Sequence, residues 1–445
     1  MRLPSLIAVF LFLSITTATV VAQEGPGAKP LTAMPDVLTV PPEAQPSDHF
    51  DVEAATNAYL AEIPPTARAR SDAYFEGGYW LILWDFLAGA IIYWALLRFG
   101  WSARMRDFAE RLTRFQAPQT FLYWTLFMLL TFLLAFPLTY YEGFVREHKY
   151  GLATQTFGPW MGDQMKMLLI GIVFGGFAVV ILVAIVRRLP RTWHIWGAIA
   201  STVLLIIIVM ISPVFLFPLF NKFKPLDDPR ITQPILSMAR ANGIAVDKVY
   251  VVDASQQSTR MSANVSGLGK TMRITLNDNL LKRATLGEIE EAMGHEMGHY
   301  VLNHVYKDML FAFIVIVAGF GLLRWSLNWF VARWGTSWGL RDATDIAALP
   351  LVFLLGSVFF FVLTPILNTQ TRTAELEADM YGLNASRQPD GSAQSAIHLG
   401  EYRKMSPGPV EEWIFYDHPS GRERIYNAMR WKAENLALFK KPAGQ

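Results

Sequence analysis

The chain reads as a mainly α, polytopic helical membrane protein with a small α+β domain outside the bilayer. Three observations lead there. Hydrophobic residues make up 52% of the 445 residues and charged residues only 17%, which is too apolar for an ordinary soluble protein. Several nearly charge-free runs approach or exceed the roughly 20 helical residues that cross a bilayer. His295-Glu296-Met297-Gly298-His299 has the residue types and spacing of a zinc-dependent protease helix, which makes the extramembrane domain a zincin-like catalytic domain by expectation.

Along the chain, residues 1–22 form a basic start followed by an apolar core, Leu3–Ile15, and small residues at Val20-Val21-Ala22. This is a signal peptide or an uncleaved first transmembrane helix, giving six to seven spans in all. Residues 23–78 form an N-terminal extramembrane segment. Its first part, 23–50, is rich in Pro and Ala and predicts a mobile linker. The membrane region of four helices covers 79–220, with spans at Trp80–Leu97, Phe121–Tyr140, Met167–Val186 and Ile195–Phe220. A peptidase domain follows at 221–445, interrupted by a membrane hairpin at 309–367 with spans Met309–Leu323 and Ile346–Leu367. The helix of the histidines, read as Leu286–His304, is expected to run on into the fifth span. Asp85 lies inside the first span, where a carboxylate is costly and faces a watery cavity or the interface.

Short loops between spans set the orientation. Arg98–Arg114, Arg187–Arg191 and Arg324–Asp345 are basic, whereas Tyr141–Lys166 is roughly neutral. The positive-inside rule sends the basic loops to the cytoplasm, and alternation sends the soluble pieces 222–307 and 368–445 to the other face. In a bacterial inner membrane that face is the periplasm. The chain has no cysteine and a net charge of +2. That excludes thiolate ligands and a thiol nucleophile and gives no footprint for nucleic acid.

The first soluble piece predicts a helix at Pro234–Asn242 and strands at Lys248–Val252 and Met272–Leu276. His295 and His299 differ by about 40° around a helix and so face one metal ion. A catalytic zinc site takes three protein ligands and keeps one position open, and Glu375 in Thr371-Arg372-Thr373-Ala374-Glu375-Leu376-Glu377-Ala378-Asp379 is the best third ligand. Glu377 points about 200° away from Glu375. Asp379 shares the face of Glu375 and either orients a ligand or donates a proton. Arg372 is placed to pair with this carboxylate cluster. His304, nine residues past His295, faces away. His148, His194 and His49 are expected to face solvent.

These residues resemble the integral-membrane gluzincins of the CAAX prenyl protease 1 type, in the family's order and over nearly everything after residue 50. Glu147-His148-Lys149-Tyr150-Gly151-Leu152-Ala153-Thr154-Gln155-Thr156 is similar to its E-x-x-[YF]-G-F-N-x-Q-T loop, departing at Leu152-Ala153. Val251–Ser255 and Ser262-Ala263-Asn264 match the stretch before an edge strand, and Asp417-His418-Pro419-Ser420 with Arg424 matches its C-terminal element. The resemblance implies a ring of seven membrane helices enclosing a chamber capped by the zinc domain, with the first helix at residues 5–22.

The expected function is a membrane-embedded zinc endopeptidase using one Zn²⁺ per chain, held by His295, His299 and Glu375. Glu296 activates the zinc-bound water. His418 would hydrogen-bond the oxyanion, and Asn264 suits capture of substrate backbone beside an edge strand. Arg424 is placed on the substrate side by the resemblance. Substrates are peptides or membrane-anchored proteins in the lipid bilayer. The alternatives are a membrane quality-control metalloprotease and a catalytically silent zinc-binding scaffold. Retention of Glu296 beside the ligands argues against the scaffold.

Overall fold

The structure, a computed structural model, describes residues 34, 38–267 and 272–439. The signal or first span expected at 1–22 lies outside them. Helix α1 (Val52–Ala61) starts at Asp51, whose carboxylate accepts the backbone N–H groups of Glu53 and Ala54 at 2.8 and 3.1 Å, satisfying donors that an uncapped helix leaves open. Among the described residues, six helices are long and apolar enough to cross a membrane. The first is α2 (Pro65–Arg98). A short amphipathic helix α3 (Trp101–Leu112) then precedes α4 (Gln116–Tyr140), which runs on through a π-helical turn, Tyr141–Arg146. The third span is α5 (Phe157–Ile170) joined through a second π-helical turn to α6 (Gly176–Arg188). The fourth is α7 (Trp193–Ile211).

The three basic loops meet at one end of this bundle. Arg106 pairs with Asp345, Arg341 grips Glu110 with bonds of 2.6 and 2.7 Å, and Arg324 donates to the Arg191 carbonyl. Within the span, Asp85 hydrogen-bonds the Glu142 carboxyl on the π-helical turn, so its neighbour is a second acid from another helix.

The extramembrane domain carries a four-stranded sheet. It comprises β1 (Phe223–Pro225), β2 (Val249–Val252), β3 (Ala263–Ser266) and β4 (Arg273–Asn277), in the order β1-β2-β4-β3. The β2–β4 pair is parallel and the outer pairs are antiparallel, with Asn264 opposite Thr275. A helix α8 (Pro229–Ala241) begins five residues before the expected start, because Asp228 caps it and Pro229 fits its first turn. The sheet and α8 bury Ile235, Ile244, Ile274 and Leu276 against Ile289, Met293 and Met297 of the next long helix. A short helix α9 (Asp278–Arg283) leads to that helix, α10 (Leu286–Val301).

Helix α10 does not run into the membrane. Asn303 adopts a left-handed conformation at φ 59°, and a separate helix α11 (His304–Trp334) forms the fifth span. Asn is one of the few residues that tolerates this region. The sixth span belongs to α12 (Leu349–Ser386), whose 38 residues reach roughly 57 Å at about 1.5 Å per residue. That is nearly twice the hydrocarbon thickness of about 30 Å, so the same rod crosses the bilayer and delivers Glu375 to the domain beyond it. Short helices α13 (Pro389–Leu399), α14 (Pro409–Phe415) and α15 (Gly421–Glu434) complete the chain.

The described part of the 23–50 segment is not a mobile linker. Met34, Leu38 and Ala44 are buried in one core with Tyr59, Leu383, Ile397, Ile425 and Met429. The buried Lys432 donates to the Ala44 carbonyl at 2.7 Å and to Asp390 at 2.6 Å, and Tyr59 donates to the same Asp390 at 2.8 Å. Proline-rich composition marks irregular backbone, and here the irregular backbone is packed.

Inside the bundle, α4, α6, α7, α11 and α12 surround an apolar cavity of about 630 Å³ bordered by Trp124, Val179, Leu205, Ala312 and Phe353.

Candidate metal centre

Two helices build the site, and glycine sets their distance. A Cβ on Gly382 of α12 would lie 2.8 Å from the His295 nitrogen, and one on Gly294 of α10 would lie 3.0 Å from the Gly382 carbonyl. Without side chains at the crossing, the helices approach closely enough for Glu375 to reach both histidines. The other end of α10 is pinned by Thr285, which forms a capping box with Glu288. Glu288 is buried and also meets His398 Nδ1 at 2.6 Å.

His295 Nε2 lies 3.1 Å from His299 Nε2 and 3.3 Å from Glu375 Oε2, and His299 Nε2 lies 3.8 Å from Glu375 Oε1. Ligand atoms on one tetrahedral ion with bonds of about 2.1 Å sit about 3.4 Å apart. The observed separations bracket that value. Each histidine is also engaged at its other nitrogen: His295 Nδ1 meets Asp379 Oδ1 at 2.8 Å, and His299 Nδ1 meets His304 Nδ1 at 2.9 Å. With the Nδ1 protons committed there, two Nε2 lone pairs and a carboxylate converge on one point. Three electron-pair donors meeting in a half-dry pocket repel one another unless a cation lies between them. The residues therefore fit a metal ion, and these three form the candidate metal-binding group among the described residues.

Burial pushes His299 down to about 3, which keeps this imidazole neutral and its lone pair available. Burial pushes the Glu296 carboxyl up, while a hydrogen bond from the Val265 N–H on β3 pulls it back. Glu296 is thus held between the histidines and the edge strand. Arg424 pays for its burial through Asp379 and Glu291, whose carboxylates raise it above its ordinary value.

Several expectations change. Arg372 does not join the carboxylates; its guanidinium donates to the carbonyls of Glu412 and Tyr416 at 3.0 and 2.6 Å. Arg424, expected on the substrate side, instead pairs with Asp379. His304 does not face away, because the break at Asn303 turns it back beneath His299. His148 is half-buried, its two nitrogens on the Phe144 and Gln155 carbonyls. His194 is half-buried too, in contact with Arg324 at 3.0 Å. Glu377 does point away from Glu375, and it meets His304 and Lys307 at 2.9 and 3.0 Å. His418 Nε2 lies 2.9 Å from Glu375 Oε2, with Nδ1 on Asp417 at 2.8 Å. Asn264 sits on β3, at the edge of the sheet, and its Oδ1 is buried with no hydrogen-bond partner among the described residues.

The loop that departs at Leu152-Ala153 docks through its backbone. Thr154 N–H donates to the Gln257 carbonyl at 3.1 Å and Thr259 N–H to the Leu152 carbonyl at 3.1 Å. Main-chain pairing tolerates the change of side chain.

Residues 53–222 match the family model for the CAAX prenyl protease N-terminal region, described as five membrane helices, and residues 225–432 match the model for peptidase family M48. The chain belongs to peptidase family M48. It is accordingly a membrane metallopeptidase, with four of its six candidate spans inside the first match. This M48 member is 31% identical over 340 residues to the uncharacterized metalloprotease YhfN of Bacillus subtilis, covering 76% of this chain and 79% of that one. It is 28% identical over 312 residues to the CAAX prenyl protease 1 of Saccharomyces cerevisiae, covering 66% and 69%. Its fold is similar to the crystal structure of S. mikatae Ste24p, with a TM-score of 0.69 at 26% identity, over 83% of this chain and 89% of that one.

Proposed function

We propose that this M48 member is a membrane-embedded zinc endopeptidase in which His295, His299 and Glu375 hold one Zn²⁺ and Glu296 is the general base. The observation that carries the reading is the convergence of three donor atoms within 4.8 Å of one another, while both Nδ1 atoms are occupied elsewhere. A bound zinc ion would polarise the scissile carbonyl and make water more acidic, towards a pKa of ~7. Glu296 takes the proton of the attacking water and returns it to the leaving amine. Asp379 fixes the tautomer and direction of His295, and Arg424 neutralises Asp379. His418, held at Nδ1 by Asp417, turns its Nε2 from Glu375 to donate a hydrogen bond to the oxyanion as it develops.

The substrate is a peptide, or the extramembrane part of a membrane-anchored protein. Its backbone pairs with the outer edge of β3, and the buried Asn264 Oδ1 accepts an N–H from it. The clustering of Arg98–Arg114, Arg187–Arg191 and Arg324–Asp345 at one end of the bundle supports a cytoplasmic position for that end. The zinc site then faces the periplasm of a bacterial inner membrane.

The test is cleavage of a peptide library by the detergent-solubilised protein, comparing wild type with Glu296→Gln after measuring the zinc content of both. The reading expects equal zinc and a loss of at least about 10²-fold in kcat for the variant. Equal cleavage by both would remove Glu296 from the mechanism.

A further inference from the structure

A histidine outside the ligand set stands directly behind one of the ligands. On a continuous helix His304 would lie about 180° around from His295. The chain instead breaks at Asn303 and restarts at His304, which folds this imidazole under the metal helix. There it is almost fully buried, with Nδ1 at 2.9 Å from His299 Nδ1 and Nε2 at 2.9 Å from Glu377 Oε2. Lys307 completes the row at 3.0 Å from the same Glu377 oxygen.

The direction of these hydrogen bonds follows from their far end. A carboxylate only accepts, so His304 Nε2 carries the proton toward Glu377, and a neutral His304 then has a lone pair at Nδ1. His299 must donate to that lone pair from its own Nδ1, which leaves His299 Nε2 free for the metal. The same helix, α12, thus serves the site three times. Glu375 is the ligand, Asp379 backs His295 directly, and Glu377 backs His299 through one intervening imidazole.

We propose that His304 is a positioning residue for the metal centre: supported by Glu377, it fixes the Nδ1–H tautomer and ring orientation of His299 so that Nε2 faces the metal. The inference rests on the zinc-site reading above. Because Glu377 acts one ring removed, its negative charge stays further from the metal than that of Asp379. Glu377 is also the more exposed of the two, with 46% of its side chain accessible against 6% for Asp379. Substitution at Glu377 is therefore milder than at His304.

The test uses the full chain in detergent, with the wild type, His304→Leu, His304→Asn, Glu377→Gln and His299→Ala. Zinc affinity is measured by competition with a chromophoric chelator. The visible absorption of the Co²⁺-loaded protein and the thermal midpoint of the metal-free protein are recorded alongside. His304→Leu removes the acceptor, and zinc affinity falls about 10- to 100-fold with a changed Co²⁺ spectrum. His304→Asn places Oδ1 near the lost Nδ1, again accepts from His299, and recovers most of the affinity. The metal-free midpoints of the two variants stay close to each other. Glu377→Gln weakens zinc binding by less than His304→Leu. The proposal is overturned if His304→Leu binds zinc within about twofold of wild type, where a lost supporting residue costs at least about tenfold. It is equally overturned if Asn and Leu lose affinity alike, which would make His304 a packing residue. If wild type and His299→Ala bind zinc equally, the zinc-site reading itself fails and takes the inference with it.

Discussion

Asp379 makes the most consequential contact that is not itself a ligand contact. Its carboxylate joins His295 Nδ1 and the Arg424 guanidinium in one buried network. Asp379→Ala leaves His295 unoriented and Arg424 without its hydrogen-bonded carboxylate, with Glu291 still nearby, and zinc affinity falls about 10- to 100-fold. Chelator competition measures this, and unchanged affinity would remove Asp379 from the site. At this scale the metal motif was legible in the sequence, because the relation of His295 to His299 is set by helix geometry within one turn. That Glu375 and not Glu377 faces the two histidines was legible for the same reason. The partner of Asp379 was not. Arg372 lies on its own helix face, yet Arg424 arrives from α15, and residue spacing carries no information about which distant helix packs there. His304 escaped detection because helical arithmetic fails across a break, and the signal available was Asn303, a residue suited to the left-handed region.

Between helices, the crossing of α10 and α12 decides whether a site forms at all. Gly382→Ala drives a methyl group into the His295 backbone at 2.8 Å, and Gly294→Ala drives one into the Gly382 carbonyl at 3.0 Å. Neither neighbour is a flexible side chain, so the backbones must shift apart at Gly382, and the carbonyl must give by a few tenths of an ångström at Gly294. We expect a loss of about 1–3 kcal/mol for Gly382→Ala, together with weaker zinc retention, read from thermal unfolding and metal analysis of the same sample. Full stability with full zinc content would show that the close crossing is dispensable. Strands β2 and β4 and the fifth and sixth spans were visible as β-branched or apolar runs, whereas the short outer strands β1 and β3 were not read as such runs. The separation of α10 from α11 was hidden by the uninterrupted helical character of the residues on both sides.

For the whole molecule, the membrane spans and the catalytic domain share a single rod, α12, and the N-terminal segment is part of the catalytic domain's core. Lys432 holds that segment through the Ala44 carbonyl and Asp390. Lys432→Ala leaves Asp390, whose side chain is 26% accessible, without its main cationic partner and is expected to cost about 2–4 kcal/mol. Earlier proteolysis of the N-terminal segment and a lowered thermal midpoint would accompany it, and an unchanged midpoint would refute the role. Composition pointed to a linker here because proline-rich sequence forecasts irregular backbone and is silent about burial. The chemistry of the whole molecule rests on the metal centre. The most direct measurement is a zinc-edge anomalous difference map from crystals of the full chain. One peak is expected, about 2.0–2.2 Å from His295 Nε2, His299 Nε2 and a Glu375 oxygen. A peak held by other residues, or no peak in protein that cleaves peptides, would contradict this expectation.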